Sequence, residues 1–418
     1  MDYQKLRKQY PTFSYTNFSY SVNGSDLVVK FSFEVGDHQF NPIIRFKDID
    51  TGRFELLDKN VLGNLIFHLG LAEIPSYWKA FASPGIEISA GRLDEDQLNW
   101  WKDLLLNGMG QYFYENNIDF TGDGFVTYIS TLSQEYKKGK NIEGRGLLIP
   151  VGGGKDSAVT LELLKSQKDS SAFMVNPSPA ALSITEASGI GKKIIVKRTM
   201  DKKIKELNSL GYLNGHTPFS SVIAFLSVAA SYIYGFDQIA LSNERSSDEE
   251  NTEFLGSKIN HQYSKTFEFE NKFRSYVEKY LININYFSFL RPLYEIQIAK
   301  LFSGMRKYFA MFRSCNIGHK TNSWCGNCSK CLSTYILLMP FLKKEELIEI
   351  FGEDLPAKPT LQETLKDLTI EGRVKPFECV GTKKELSDAV AGDLSLLKSW
   401  NGNNNLPEKY EEILKRKI

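Results

Sequence analysis

Cysteine is scarce, with five in 418 residues, and four of those crowd between Cys315 and Cys331. That is not the pattern of a secreted disulfide framework, and in a reducing compartment such crowding points to a metal. Excess charge of either sign is also missing, since 51 Lys and Arg face 50 Asp and Glu for a net charge of +1. Nothing global draws the chain to nucleic acid or to an anionic membrane, so any anion site has to be local. Long hydrophobic runs are lacking too. The longest, VIAFLSVAASYIYGF, is too short and serine-broken to span a bilayer, and the opening MDYQKLRKQYPTF is charged and has no apolar signal core. A cytoplasmic protein with neither membrane nor nucleic acid among its partners is therefore expected. Repeats and low-complexity tracts are absent as well.

What is present is globular: 42% hydrophobic and 13% aromatic residues, with 28 Phe and 20 Tyr. The length predicts roughly two or three domains. In FSYTNFSYSVNGSDLVVKFSFEV, Leu27, Val29, Phe31, Phe33 and Val35 alternate with polar residues and Asn23-Gly24 supplies a turn, which predicts an antiparallel hairpin. From about Leu57 the pattern turns helical, and Leu98, Trp101 and Leu105 form a stripe running towards Tyr112. An N-terminal α+β domain over residues 1–135 is expected, followed by the polar linker KKGKNIEGRG. Residues 140–345 then alternate strands (GLLIPV, SAFMVN, KKIIVK, DQIALS) with helices starting at Ser157, near Ala181 and at Ser220, and YSKTFEFENKFRSYVEKYL closes the set. That is the order of a parallel α/β domain. Residues 346–418 make a small C-terminal subdomain.

The stretch LLIPVGGGKDSAVTLELL joins a strand to a helix through Gly152, Gly153, Gly154, Lys155, Asp156 and Ser157. It is not a Walker loop, because Ile149 stands at the first-glycine position and Asp156 follows Gly154-Lys155. Nor is it a dinucleotide fingerprint, since the third glycine is missing and the next strand, SAFMVNP, ends without an acid. What remains is a loop whose backbone N–H groups can close on a phosphate at a helix N-terminus, with Ser157 as donor and Asp156 as a partner for Mg²⁺. It resembles the Ser-Gly-Gly-x-Asp-Ser pyrophosphate loop of ATP pyrophosphatases, with Gly152 in place of the leading serine. The resemblance implies an adenine nucleotide alpha hydrolase-like domain that cuts ATP between its α and β phosphates.

Cys315, Cys325, Cys328 and Cys331 form C-x9-C-x2-C-x2-C in SCNIGHKTNSWCGNCSKC, where Gly326 allows a tight knuckle over residues 315–331. Four thiolates at this spacing suit a structural Zn²⁺ with no position left for water, and the spacing does not exclude an iron–sulfur cluster. The cluster downstream of a pyrophosphate loop is similar to 7-cyano-7-deazaguanine synthases, which are much shorter chains.

Further segments narrow the family. LNGHTPFSSV, LSNERSSDEEN, INHQYSKTFEFE and KPFECVG, with SYWKA, GGGKDS, FLRPL and WCGNCSKC, resemble in order and spacing the ATP-dependent UDP-N-acetylmuramoyl-L-alanyl-L-glutamate epimerases of peptidoglycan synthesis, from about Tyr77 to Gly381. The resemblance implies that the terminal L-glutamate of UDP-MurNAc-L-Ala-L-Glu becomes D-glutamate while ATP goes to AMP and pyrophosphate. Adenylating the carboxylate removes a negative charge beside Cα and makes its proton far more acidic; inversion then needs an acid and a base on opposite faces. The candidates are His216 and His261, which have Asn214, Asn260 and Gln262 beside them, with Glu244, Cys379 and Glu378. His38 and His68 fall in the first domain and His319 in the cysteine loop. Arg245, Lys265 and Arg291 are candidate cations for the substrate, and Asn243 and Glu244 follow a strand, where α/β sheets bind ligands. Tyr77, Trp78 and Lys79 could reach a nucleotide-sugar from the first domain. Two rival readings stay open: another ATP-dependent carboxylate activation, such as amide or nitrile formation on a deazapurine, and a nucleotide-binding scaffold without activity, for which Gly152 is the supporting feature.

Overall fold

The computed structural model describes residues 2–132, 136–142, 144–318 and 321–418; His319 lies outside the described residues, as does the end of the 1–135 segment. Its strands, in chain order, are β1 (Thr12–Asn23), β2 (Asp26–Val35), β3 (His38–Phe40), β4 (Ile43–Phe46), β5 (Gly85–Ile88), β6 (Thr127–Ser130), β7 (Leu147–Pro150), β8 (Ser170–Val175), β9 (Lys192–Thr199), β10 (Gln238–Leu241), β11 (Thr252–Phe254), β12 (Ser257–Ile259) and β13 (Asn285–Ser288). The hairpin forms as expected: β1 and β2 pair antiparallel with Tyr15 opposite Phe33 and Asn23 opposite Asp26. Gly24 takes the turn at φ +63°, a conformation that an L side chain seldom adopts.

Two sets of strands that the sequence divides between domains form one sheet. Its order is β13-β10-β7-β8-β9-β4-β2-β1-β5-β6, with β3 added on β2. From β13 to β9 the pairs are parallel, whereas β9 meets β4 antiparallel, Phe46 lying opposite Val196. The exposed edge that β9 would otherwise present is thereby covered by the N-terminal half. Strands β5, β6 and β13 carry only four residues each, too few for an alternating pattern to stand out in the sequence.

The core lies on both faces of this sheet. Leu148, Ile239 and Leu241 point into one hydrophobic cluster, shared with the N-terminal helices, while Leu147, Ile149 and Ala240 point into the other. The Lys59–Trp78 helix is buried along nearly its whole length. Gly70 makes that possible, because a Cβ there would fall 2.1 Å from Tyr15 Oη. On the opposite face the C-terminal segment supplies Leu386, Tyr410 and Leu414 to the same cluster as Ile149, with Tyr410 stacked on Phe287 at 5.0 Å. Residues 346–418 therefore cover the parallel strands instead of enclosing a core of their own. Among the described residues no helix is long and apolar enough to cross a membrane.

Candidate active site

Strand β7 is the point where the parallel order reverses: β8 and β9 lie to one side, β10 and β13 to the other. Ligands bind outside the carboxyl ends of strands at such a point, and the glycine loop sits there, between β7 and the Lys155–Leu164 helix. Gly153 adopts φ +97°, and a Cβ on it would stand 2.9 Å from the Ala181 nitrogen. Only glycine fits. Gly154 caps the helix without any side-chain hydrogen bond, which leaves first-turn N–H groups free for an anion. Ser157 Oγ accepts from the Gly152 N–H at 3.0 Å.

Two cavities meet at this loop. The larger, about 420 Å³, has apolar walls from Val151, Phe173, Phe219 and Ile223. The smaller, about 180 Å³, is polar and is bounded by Lys155, Glu295, Arg313, Ser314, Lys330 and Cys379. Gly152, Asp156, Ser157, Glu244 and Lys265 line both. They form the waist between the two.

The charges around the waist are in conflict. Lys155 is only 3% exposed and its Nζ reaches Asp156 Oδ1 at 2.6 Å and Glu295 Oε2 at 2.8 Å. Burial works against its charge, but the two carboxylates outweigh it and raise its pKa. Lys155 is thus committed to those two partners. Glu244, buried and close to the charge of Glu295, has its pKa pushed up to about 8, so it holds a proton at neutral pH. Cys379 Sγ lies 3.0 Å from Lys265 Nζ. Burial there favours the thiol, yet Lys265 and then Lys330 prevail and lower its pKa.

The His216 and His261 rings pack against one another, tilted by 47°, with centroids 4.2 Å apart. Burial first, then His261 for the one and Lys265 for the other, pushes both pKa values down to about 3. His261 Nδ1 donates to Gln111 Oε1 at 2.6 Å, leaving a neutral ring with Nε2 as acceptor. Neither imidazole lines either cavity; Lys265 is their common neighbour. Lys79 approaches the same place, its Nζ on Gly215 O at 3.0 Å, and burial lowers its pKa to about 8.

Several expected residues do other work. Arg291 is fully buried and donates to the backbone oxygens of Glu244, at 2.7 Å, and of Lys265. It holds the loops that carry those side chains and reaches neither cavity. Arg245 lies over the Tyr294 ring at 4.4 Å and bonds Ser399 Oγ, away from the waist. Asn243 lines the larger cavity while its Nδ2 donates to Ser288 Oγ at 3.2 Å, and Glu378 accepts from Asn316 Nδ2 at 2.6 Å. Tyr77 and Trp78 are core residues. His38 contacts Tyr10 Oη at 3.3 Å, and His68 has both nitrogens bonded in the interior.

The four cysteines converge as their spacing predicts. Their sulfurs all lie within 4.8 Å of one another, with pairs at 3.4, 3.7 and 3.9 Å. A tetrahedron with metal–sulfur bonds of ~2.3 Å has edges of roughly 3.8 Å, so the cluster could hold one metal ion. Gly326 turns the knuckle at φ +63°, and the N–H groups of Gly318 and Cys331 donate to Cys315 Sγ and Cys328 Sγ, as outer partners of ligating thiolates do. Sequence reasoning missed Arg313, Ser314 and Lys330, although each stands within two residues of a cysteine in the cluster. Glu295 and Gln111 carried no signal; the fold alone brings them in.

The family model described as the MurL N-terminal domain matches residues 4–289, and the one described as the MurL C-terminal domain matches residues 311–417. Proteins named UDP-N-acetyl-alpha-D-muramoyl-L-alanyl-L-glutamate epimerase are similar along most of their length. The one from Salinispora tropica is 32% identical over 359 residues, which is 83% of this chain and 76% of that protein. The one from Xanthomonas oryzae pv. oryzae is 32% identical over 325 residues, 76% of this chain and 71% of that protein. A third, from a Micromonospora species, is 32% identical over 349 residues. No solved structure matches.

Proposed function

The chain belongs to the MurL family, and from that membership we propose that it is an epimerase of UDP-MurNAc-L-Ala-L-Glu in peptidoglycan synthesis, inverting the terminal glutamate through an adenylated carboxylate. One observation carries the chemistry: a phosphate-type glycine loop at the waist between an apolar and a polar cavity, with five residues common to both. The parallel strand order around β7 supports an adenine nucleotide alpha hydrolase-like fold for this half. Adenosine suits the larger cavity and the triphosphate the smaller, which sets the α-phosphate over Gly152–Ser157. A Mg²⁺ carried in with ATP would meet Asp156.

The substrate carboxylate oxygen attacks the α-phosphorus, the bond to the β-phosphate oxygen breaks, and pyrophosphate departs with the electron pair. Cα then sits close to Lys265, whose cation favours an enolate. Cys379 and Glu244 have environments that drive their pKa values apart, the usual sign of a base and an acid. The Cys379 thiolate removes the Cα proton and the protonated Glu244 returns one to the other face. Water then cleaves the acyl adenylate to AMP and a D-glutamate carboxylate, and solvent exchange resets both groups. His216 and His261, held neutral, pack beside Lys265 outside both cavities and take no step. In the cysteine cluster a Zn²⁺ with four protein ligands would be structural and supply no step.

The test is incubation with UDP-MurNAc-L-Ala-L-Glu, ATP and Mg²⁺ in deuterated water, followed by chiral analysis of glutamate and assay of AMP and pyrophosphate. D-Glutamate deuterated at Cα with stoichiometric AMP is expected, and Asp156→Ala or Ser157→Ala should abolish pyrophosphate release without unfolding the protein. AMP formed only when ammonia is added would transfer the loop to amide or nitrile chemistry and remove the epimerase reading.

A further inference from the structure

Besides Glu244, Lys265, Glu295 and Cys379, the smaller cavity has two walls of different origin. One is the glycine loop and the first turn of the following helix; the other is Arg313, Ser314, Asn316, Lys330 and Thr334. Every member of the second wall lies within three residues of Cys315 or Cys331. The walls touch directly: the Arg313 N–H donates to Gly153 O at 2.9 Å, and a Cβ on Gly154 would lie 2.9 Å from Ser314 Oγ. The cations of the cavity differ in their commitments. Lys155 is neutralised by Asp156 and Glu295, and Lys265 bonds Gln262 and Cys379. The Lys330 ammonium makes no hydrogen bond or ion pair among the described residues, its charge acting only at longer range, as on Cys379 and Glu378. It stands in the first turn of the Ser329–Leu338 helix, between Cys328 and Cys331.

We propose that this second wall is the seat of the departing pyrophosphate, with Lys330 as its principal cation and the Arg313 guanidinium, itself bonded to Asn322 O and Phe312 O, beside it. The cysteine knuckle then serves as a positioning element for the leaving group. A polyphosphate tail entering from the waist brings negative charge into a polar cavity of about 180 Å³, where, of the lysines lining it, Lys330 alone has an ammonium with no hydrogen bond or ion pair among the described residues. Because Cys328 and Cys331 flank it, a metal held by the four sulfurs would fix the lysine against the glycine loop. The inference rests on the adenylation reading above and adds to it the residues that receive the β and γ phosphates.

The experiment measures pyrophosphate and AMP binding to the metal-loaded protein by calorimetry in Mg²⁺ buffer, for wild type, Lys330→Ala and Lys330→Arg. Metal content is checked in each. Loss of one charge-assisted contact predicts pyrophosphate binding weakened by about tenfold or more in Lys330→Ala, with AMP binding changed less than about twofold and substantial recovery in Lys330→Arg. Equal pyrophosphate affinity in wild type and Lys330→Ala, or equal loss of pyrophosphate and AMP, overturns the assignment while the adenylation reading stands. A wild-type protein that binds neither ligand and releases no pyrophosphate from ATP overturns both.

Discussion

Two buried polar clusters in this protein look alike by composition and differ in kind. Around His68 every polar atom is matched: Nδ1 donates to Asn64 O and Nε2 accepts from Tyr276 Oη, both at 2.9 Å. Trp101 Nε1 and Gln97 Nε2 donate to the same hydroxyl. Around Lys265 the groups are held against their preferences, with Glu244 pushed up, Cys379 pushed down and two imidazoles kept from protonating. Burial is common to both clusters and therefore does not distinguish them. Unresolved electrostatic conflict does, and it marks the place where chemistry is possible.

The sharpest way to break the comparison is to remove the conflict. Cys379→Ala and Glu244→Gln should each slow epimerisation by about 10²–10⁴-fold, the range for loss of a general acid or base, while ATP–pyrophosphate exchange continues. Lys265→Gln removes the nearest cation from Cys379, so its thiolate fraction at neutral pH, followed as the rate of iodoacetamide alkylation, should fall, and an unchanged rate would remove Lys265 as the cause. The same treatment of the satisfied cluster should act on stability alone. His68→Ala leaves a cavity and an orphaned hydroxyl, a cost of about 2–4 kcal/mol in denaturant unfolding, with kcat of the folded protein unchanged.

Acid titration affects both clusters in the same direction. Burial pushes His68 down to about 4 and His216 and His261 down to about 3, from 6.5. Above the unfolded value both states hold these rings neutral and stability is full. As pH falls below it the unfolded chain takes up protons that the folded protein refuses, so unfolding free energy should drop by about 1.4 kcal/mol per pH unit per histidine. His68→Gln should flatten that slope by one such increment. The smallest effect is expected at Arg245→Ala, which loses a ring contact and a hydroxyl bond for about 1 kcal/mol or less and leaves turnover intact.

The glycine loop and the cysteine knuckle were legible in the sequence because each is local: consecutive residues dictate a phosphate-binding turn or a set of converging thiolates. The strands β7 to β10 were legible for a related reason, since each is a short apolar run set off by turn residues and helical patterns. The walls of the site were not. Glu295 and Gln111 come from separate stretches of the chain and reach the site only after folding, whereas Lys79 was expected from the first domain and does come near. Arg291 and Arg245 illustrate the opposite error. Their segments carry the family resemblance, yet both guanidiniums are spent on holding loops in place.

The antiparallel pairing of β4 with β9 has a consequence for how the molecule could be divided. A cut in the polar segment between β6 and β7 would leave both fragments with a bare row of backbone donors and acceptors, Ile43–Phe46 on one and Val196–Thr199 on the other. Made alone, each fragment would be prone to self-association through that row. Made together, they would recombine by adding the missing strand to one another, and activity would return as a split-protein complementation.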